Sequence, residues 1–165
     1  MEGGLDPAPR DGRDSSRGGT PGVAPVTLIR PRGDELLEAY RRAFEARDVD
    51  TAVELYAPDA EVRLDPFEEP LRGDLAIRAA WNELAATRAN VELDIERFWV
   101  SGDVVLASWH GAYTRRDNAD RVRLRGFLML EVGADGRIVR HREWTHARVV
   151  GTDRTFRTDA AGGPR

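Results

Sequence analysis

Cysteine and lysine are both absent from this chain of 165 residues, so all 25 of its basic residues are arginines. Without cysteine there are no disulfides, no thiolate nucleophiles and no cysteine metal sites. Without lysine, a Schiff-base mechanism through a lysine amine is excluded. Apolar runs fall far short of the roughly 18–20 residues that span a membrane, and the N-terminus lacks a signal-peptide core. We therefore expect a cytoplasmic protein that does not associate with membranes.

The charge balance is slightly acidic, with 29 acidic and 25 basic residues. Residues 34–150 are more acidic than the whole, with 23 acidic and 17 basic side chains. An acidic domain without a basic stripe argues against nucleic acid as the main partner. The length fits one domain with a self-supporting core.

Both ends of the chain differ in composition from its centre. Residues 1–33 are rich in Gly, Pro, Arg, Ser and Asp and show no apolar period, which predicts a disordered N-terminal tail. Residues 151–165 are predicted to form a flexible C-terminal tail. The folded domain is therefore expected to cover residues 34–150.

The first half of that domain has helical periodicity. Apolar residues at helical spacing predict a first helix from Asp34, and a break at Asp48-Val49-Asp50 opens a shorter second helix. Pro58 is predicted to end the second helix, because proline has no backbone N–H to donate. A short strand follows over residues 60–64. Asp74 is the predicted N-cap of a third helix that reaches residue 88.

The second half alternates with a period of two residues. Four strands are predicted over residues 91–100, 104–115, 122–132 and 138–149, separated by turns that include Gly102 and Gly136. Alternation puts Ser108 with His110 on one side of its strand. It likewise groups His141, Glu143 and Thr145 on one side of the last strand.

This order of elements, three helices and a short strand followed only by strands, accompanies a set of local sequence matches. The matching residues are Tyr40, Ala43, Ala46, Asp48-Val49-Asp50, Tyr56-Ala57, Asp59-Ala60, Asp65-Pro66, Pro70, Gly73, Ala76-Ile77-Arg78 and Trp81. On these residues the chain resembles the nuclear transport factor 2-like superfamily, in the branch of SnoaL-like polyketide cyclases and ketosteroid isomerases. The resemblance implies an α+β cone, in which a curved antiparallel sheet wraps around three N-terminal helices. It also implies a pocket inside the cone.

The resemblance further implies which residues face the pocket. They are Tyr40, Asp65, Trp81, Ser108, His110, Leu128, His141, Glu143 and Thr145. Tyr40 matches the isomerase tyrosine that donates a hydrogen bond to a developing oxyanion, and Asp65 matches the proton-shuttling base. Trp81 and Trp99 are expected in the pocket wall and the core.

Two departures from the family pattern narrow the chemistry. Leu128 stands where the isomerases have a protonated acid as second oxyanion donor, which argues against steroid isomerisation. The related dehydratases use a first-helix aspartate and a histidine near the start of the meander. Here Glu45 takes the first position, and residues 88–100 contain no histidine.

His141 and Glu143 form a second candidate for the base, because residues two apart on a strand project into the same space. A histidine next to a carboxylate gives a base near neutral pH. The alternative is that both lie at the wet mouth of the cone and only bond each other. Together with His110 they could form a facial metal set, but we expect no metal and no cofactor.

These observations predict cofactor-independent acid–base catalysis, such as isomerisation, cyclisation or dehydration, on a small apolar molecule with a carbonyl group. Asp65 or the His141–Glu143 pair is the expected base, and Tyr40 and His110 are the expected hydrogen-bond donors. The alternative is a non-catalytic ligand-binding or dimerisation module of the same fold. A homodimer is expected through the convex sheet face, which is predicted to carry Trp109, Tyr113, Phe127, Met129 and Trp144.

Overall fold

The structure is a computed structural model that describes residues 30–156, with side chains from residue 32 onward. The predicted disorder of residues 1–29 and the last part of the C-terminal tail lie outside this range. The elements, in chain order, are α1 (Arg30–Ala46), α2 (Val49–Glu54), β1 (Tyr56–Arg63), β2 (Leu71–Arg72), α3 (Gly73–Thr87), β3 (Arg88–Ser101), β4 (Val104–Arg115), β5 (Asp120–Val132) and β6 (Ile138–Thr152).

The strands form one curved, unclosed sheet in the order β2-β1-β6-β5-β4-β3. Strands β3 to β6 make an antiparallel meander, whereas β1 pairs with β6 in parallel. The helices pack against one face, which we call the inner face, and α1 contacts β3 while α3 contacts β1. The predicted α+β cone is confirmed.

The core lies between the helices and the inner face. Buried apolar side chains from both layers form one cluster, which includes Leu37, Phe44, Ile77, Leu93, Val105, Leu128, Leu130 and Ile138. Burying a side chain of this size contributes about 1.5–3 kcal/mol relative to leaving it exposed. None of the helices in the described range is both long and apolar enough to cross a membrane.

The second helix is shorter than predicted. It stops at Glu54, and the backbone N–H of Leu55 bonds back to the carbonyl groups of Ala52 and Val53. Tyr56 already pairs with Ile138 of β6, so Pro58 lies inside β1 and does not end a helix. The β1–β6 register breaks between Tyr56 and Glu61. An imino acid is tolerated at such an irregularity because no ladder hydrogen bond is lost.

The start of the third helix also differs from the prediction. Arg72, not Asp74, is the N-cap residue, and its side chain makes no capping hydrogen bond. Arg72 still belongs to β2, where it pairs with Glu61 both in register and through a 2.7 Å ion pair. Gly73 makes the sharp change from strand to helix at a φ of +74°. Asp74 lies in the first turn, where its charge suits the helix dipole.

Both ends of the folded domain extend past the predicted boundaries. Helix α1 begins at Arg30, and a Cβ on the buried Gly33 would lie 2.7 Å from a methyl group of Val100. At the other end, the carboxylate of Asp153 accepts hydrogen bonds from Thr114 at 2.7 Å and Asn90 at 3.1 Å. Residues 30–33 and 151–153 are therefore part of the packed structure.

Strand β6 has the predicted phase. His141 pairs with the buried Leu130 and Glu143 with Leu128, which puts both on the inner face. Arg140 lies on the outer face and forms an ion pair with Glu131. A one-residue slip would have brought arginine side chains against the core instead.

Strand β4 has the opposite phase from the one predicted. Val105, Ala107 and Trp109 are buried on the inner face, because they pair in register with Leu130, Leu128 and Gly126 of β5. Residues Leu106, Ser108 and His110 therefore lie on the outer face. Trp99 pairs with Leu106 and is also on the outer face, not in the core.

Candidate functional site

A cavity of about 230 Å³ lies between α1, α3 and the inner face of the sheet. Most of its wall is apolar, and includes Phe44, Val62, Leu64, Ile77, Trp81, Leu84 and Leu124. Its polar residues are Tyr40, Tyr56, Arg88, His141, Glu143 and Thr145. A small number of polar groups in an apolar concave site is the usual composition of a small-molecule pocket.

Alternate residues of β6 bring an acid, a base and a hydroxyl into this cavity. Glu143 is central, since its Oε1 accepts a hydrogen bond from Thr145 Oγ1 at 2.5 Å. Its Oε2 lies 3.5 Å from Nε2 of His141. The His141 side chain is 1% exposed and that of Glu143 is 16% exposed, so His141 is enclosed while Glu143 is partly open to solvent beside the exposed Thr145.

His141 is held from its other side by Tyr56. The Tyr56 hydroxyl lies 3.0 Å from Nδ1, and the two rings stack with centroids 6.1 Å apart. If Tyr56 donates to Nδ1, the proton of the neutral imidazole is on Nε2 and faces the Glu143 carboxylate. The reverse tautomer would put a nitrogen lone pair against that carboxylate. The first arrangement is therefore the stable one while Glu143 is ionised.

Glu143 is held in its ionised form. Burial by itself raises the pKa of this carboxyl. Contact with His141, the Thr145 hydrogen bond and the charge of Arg88 together lower the pKa by more than burial raises it. The net pKa lies below its usual value. At 3.5 Å the His141 contact is too long for a strong hydrogen bond, and we treat it as an electrostatic contact.

Two tyrosines supply hydroxyl groups that stay protonated. Burial raises the pKa of Tyr40 and of Tyr56, and the Glu143 charge raises both further. The Tyr40 ring meets the His141 ring edge-on with centroids 5.6 Å apart. Tyr40 lines the cavity, so its protonated hydroxyl can donate a hydrogen bond to a ligand.

Three cavity residues that carry polar side-chain atoms are not among the predicted site residues: Tyr56, Arg88 and Trp109. Tyr56 falls in the predicted second helix, and Arg88 at the predicted end of the third. Trp109 is assigned to the convex face with its strand. Its indole nitrogen is buried without a hydrogen-bond partner in the described part of the chain. Val105, Ala107 and Trp109 are all apolar and lie on one side of β4, and this pattern indicates that their side of the strand faces the core.

Asp65 does not enter the cavity, which corrects its prediction as the base. Strand β1 ends at Arg63, and the Leu64 side chain lines the cavity in its place. Asp65 is exposed in the following turn, where its Oδ1 accepts a hydrogen bond from the backbone N–H of Phe67 at 2.9 Å. Its carboxylate therefore has a local turn-forming role.

His110 and Ser108 are also outside the cavity, because β4 presents its other side to the helices. His110 is 45% exposed, with its nitrogens 3.5 Å from Asp94 and 3.3 Å from Glu96. Since His110 and His141 lie on opposite faces, the facial metal set cannot form. No group of three metal-ligating side chains occurs within residues 30–156.

The remaining predicted residues divide in two. Tyr40, Trp81 and Thr145 line the cavity together with His141 and Glu143. Leu128 is on the inner face but is fully buried between Ala107 and Glu143, so it supports the site without lining it.

The sequence profile of the SnoaL-like domain matches residues 37–141, well over half of the chain. The chain belongs to this family. Comparison with curated proteins finds no match. The SnoaL-like match covers all the cavity residues up to His141, whereas Glu143 and Thr145 follow its last residue.

Solved structures share the fold of this SnoaL-like domain. SalBIII, an epoxide hydrolase/cyclase-like enzyme of pyran ring formation in the polyether salinomycin, is 19% identical with a TM-score of 0.65, over 72% of this chain and 96% of that chain. An LEH-like epoxide hydrolase of M. tuberculosis is 22% identical, with a TM-score of 0.61 over 70% and 84%. A computationally designed 17-OHP binder is 17% identical, with a TM-score of 0.62 over 71% and 98%. At these identities the likeness establishes the shared fold only.

Proposed function

We propose that this SnoaL-like domain binds a small, mainly apolar molecule with a carbonyl group and moves a proton on it without a cofactor. The observation that carries the proposal is an ionised carboxylate, Glu143, inside an apolar cavity. It lies next to His141 and Thr145, and Tyr40 lines the same cavity. A base and a hydrogen-bond donor facing one apolar space can catalyse isomerisation, cyclisation or dehydration.

The size of the cavity limits the substrate. An engineered apolar cavity of about 150 Å³ holds benzene. The cavity here, at about 230 Å³, has room for a ligand of about ten non-hydrogen atoms. A single substituted ring therefore fits the enclosed part of the site.

In the proposed step, Glu143 removes a proton from the carbon next to the ligand carbonyl. The electron pair of that C–H bond forms the C=C bond of an enolate, the C=O π pair moves to the oxygen, and Tyr40 donates a hydrogen bond to that oxygen. The proton then returns from Glu143 to another carbon of the ligand. Ligand binding displaces water from Glu143, and this desolvation makes the carboxylate a stronger base. His141 is a positioning residue in this step.

Two structural relatives with this fold are described as enzymes. SalBIII is described as epoxide hydrolase/cyclase-like, and the M. tuberculosis protein as an epoxide hydrolase. Both are enzyme descriptions of proteins that share this fold. A second candidate, ligand binding without catalysis, is favoured by the lowered pKa of Glu143, which weakens it as a base. The designed 17-OHP binder is an example of this fold used for binding.

Exchange of the α-hydrogens of cyclohexanone in D₂O, followed by NMR, tests the proposed proton transfer. We expect the protein to accelerate exchange and Glu143→Gln to slow it by about 100-fold or more, because general bases contribute about 10²–10⁴-fold. Asp65→Asn is the matched control, since it removes a carboxylate outside the cavity and should leave the rate unchanged.

The two candidates give different results in this assay. For a binding module, cyclohexanone shifts the indole N–H signals of Trp81 and Trp109 but no exchange is catalysed. An equal loss of exchange in Asp65→Asn and Glu143→Gln would contradict the assignment of Glu143 as the base.

We further propose that the domain forms a homodimer through the outer face of the sheet. Trp99, Leu106, Phe127 and Trp144 are each between 36% and 47% exposed there. They are contiguous, because Trp99 pairs with Leu106 and Phe127 with Trp144 on neighbouring strands. This corrects the residues that were predicted for the convex face. Trp109 lies on the inner face, whereas Leu106 and Trp99 lie on the outer face. An apolar patch of this extent marks an interaction surface.

Sedimentation of the protein at micromolar concentration tests the dimer. We expect a dimer that Phe127→Arg converts to a monomer, because the introduced guanidinium would be buried without a partner in the interface. Arg123→Ser, on the same face but outside the patch, is the control. A monomeric parent protein would refute the proposal.

A further inference from the structure

We propose that Arg88 binds an anionic group of the ligand, so that the molecule held in the cavity is a small carboxylic acid. This inference rests on the proposed ligand-binding role of the cavity. It does not depend on the proton transfer by Glu143, because a carboxylate can bind to Arg88 whether or not the ligand reacts.

Arg88 is fixed at the junction of α3 and β3. Its backbone carbonyl accepts hydrogen bonds from Arg47 Nη1 at 3.0 Å and from Arg116 Nε at 3.1 Å. Its guanidinium carbon lies 4.4 Å from the centre of the Tyr113 ring, so the planar group is stacked on an aromatic face. Backbone clamping and stacking reduce the freedom that a flexible side chain would lose on binding.

The Arg88 guanidinium has no acidic partner among the described residues, although it lines the cavity. Eight other arginines make ion pairs with Asp or Glu. The carboxylate of Glu143 shares the cavity and interacts with the Arg88 charge at longer range, while Thr145 and His141 are its direct neighbours. Arg88 is thus a cation that lines an apolar cavity and forms no direct ion pair within the described residues.

The chemistry of guanidinium selects the ligand group. Its planar N–H fork matches a carboxylate in a two-point contact, and such charged hydrogen bonds are about twice as strong as neutral ones. Arg88 also acts on the other polar groups of the cavity, since its charge lowers the pKa of both Tyr40 and Glu143. A ligand carboxylate would neutralise a positive charge that already acts across the site.

The surroundings reinforce this preference for anions. Arg115 pairs in register with Arg88, and Arg88, Arg115 and Arg116 all line a groove next to the cavity. Asp117 is the single acidic residue lining the adjoining groove, which also contains Tyr113 and Arg115. This local positive charge stands out in a chain with a net charge of −4. It favours the approach of an anion.

Two probes of equal shape separate charge from size: cyclohexanecarboxylate and cyclohexanecarboxamide. Their binding is followed through the indole N–H signals of Trp81 and Trp109, which line the cavity. The indoles of Trp99 and Trp144 on the outer face serve as internal controls. We expect the carboxylate to bind about tenfold more tightly than the carboxamide, with shifts confined to the two cavity indoles.

Three variants complete the test. Arg88→Met keeps the apolar stem and should abolish the preference while the carboxamide still binds. Arg88→Lys keeps the charge without the planar fork and should retain only part of the preference. Arg123→Met removes an exposed arginine of the outer face and should change nothing. Should Arg88→Met not fold, the Arg88→Lys result decides.

The outcomes also separate this inference from the proposed reaction. Glu143→Gln should lose exchange activity yet keep the carboxylate preference, because it leaves Arg88 in place. Equal binding of the two probes to the parent protein would overturn the inference, as would a full preference in the Arg88 variants. Absence of any indole shift with either probe would overturn it as well.

Discussion

His141 and His110 lie on opposite faces of the same sheet, and each is next to carboxylates at similar distances. His141 Nε2 is 3.5 Å from Glu143, and the nitrogens of His110 are 3.5 and 3.3 Å from Asp94 and Glu96. The His141 side chain is 1% exposed, whereas that of His110 is 45% exposed. The two sites have the same residue types at nearly the same distances, and they differ in their exposure to solvent.

This difference determines what each pair can do. Water and salt screen the outer pair, and exposed ion pairs contribute only about 0–1 kcal/mol. The inner pair has little water to replace its partners, so each group depends on the other and on Tyr56 and Thr145. His141 and Glu143 have few solvent contacts, so they can act on a ligand in the cavity. His110 and its carboxylate neighbours are in contact with water instead.

The strongest test of this comparison is to remove each histidine in turn. We expect His141→Ala to lower the free energy of unfolding by about 3 kcal/mol, since it leaves a cavity and a buried carboxylate without its neighbour. His110→Ala should cost less than about 0.5 kcal/mol, as exposed substitutions usually do. Urea denaturation of both variants measures the difference. Equal costs would show that burial does not distinguish the two sites.

The pH dependence of stability gives a smaller effect. The pKa of Glu143 is lower in the folded protein than its ordinary value of 4.5. Its ionised form therefore stabilises the fold above about pH 4.5, and this contribution is lost as the pH falls towards the folded pKa. We expect Glu143→Gln to lose less stability than the parent protein between pH 6 and pH 3, because the variant has no carboxylate to protonate at this position. Parallel curves for the two proteins would contradict the assigned pKa direction.

The fold could be predicted from the sequence because its main signals are local. The change of period from helix to strand and the turns at Gly102 and Gly136 depend on neighbouring residues. The phase of β6 could be predicted as well, since the wrong phase would put Arg140 and Arg142 inside the cone. Arginine is costly enough in an apolar core to decide the question by itself.

The site was harder to predict because it depends on contacts between distant residues. In β4 the apolar series Val105, Ala107 and Trp109 was the only local signal, and the Trp109–Gly126 pairing confirms the phase that it indicates. A Cβ at position 126 would lie 3.2 Å from the Trp109 ring, so the glycine makes room for the indole. Asp65 occupies a motif typical of the family, yet β1 ends two residues too early for its side chain to turn inward.

The hydrogen bond between Tyr56 and His141 joins residues that are 85 positions apart in the chain. Contacts of such long range form late, because the loop between them must lose its entropy before the contact is gained. Tyr56 opens β1, and β1 is joined to the meander through β6, the last strand of the chain. Closure of the β1–β6 seam and formation of the Tyr56–His141 contact are thus one event in folding. A nascent chain that has not yet released β6 lacks His141, Glu143 and Thr145, which are half of the polar residues of the cavity.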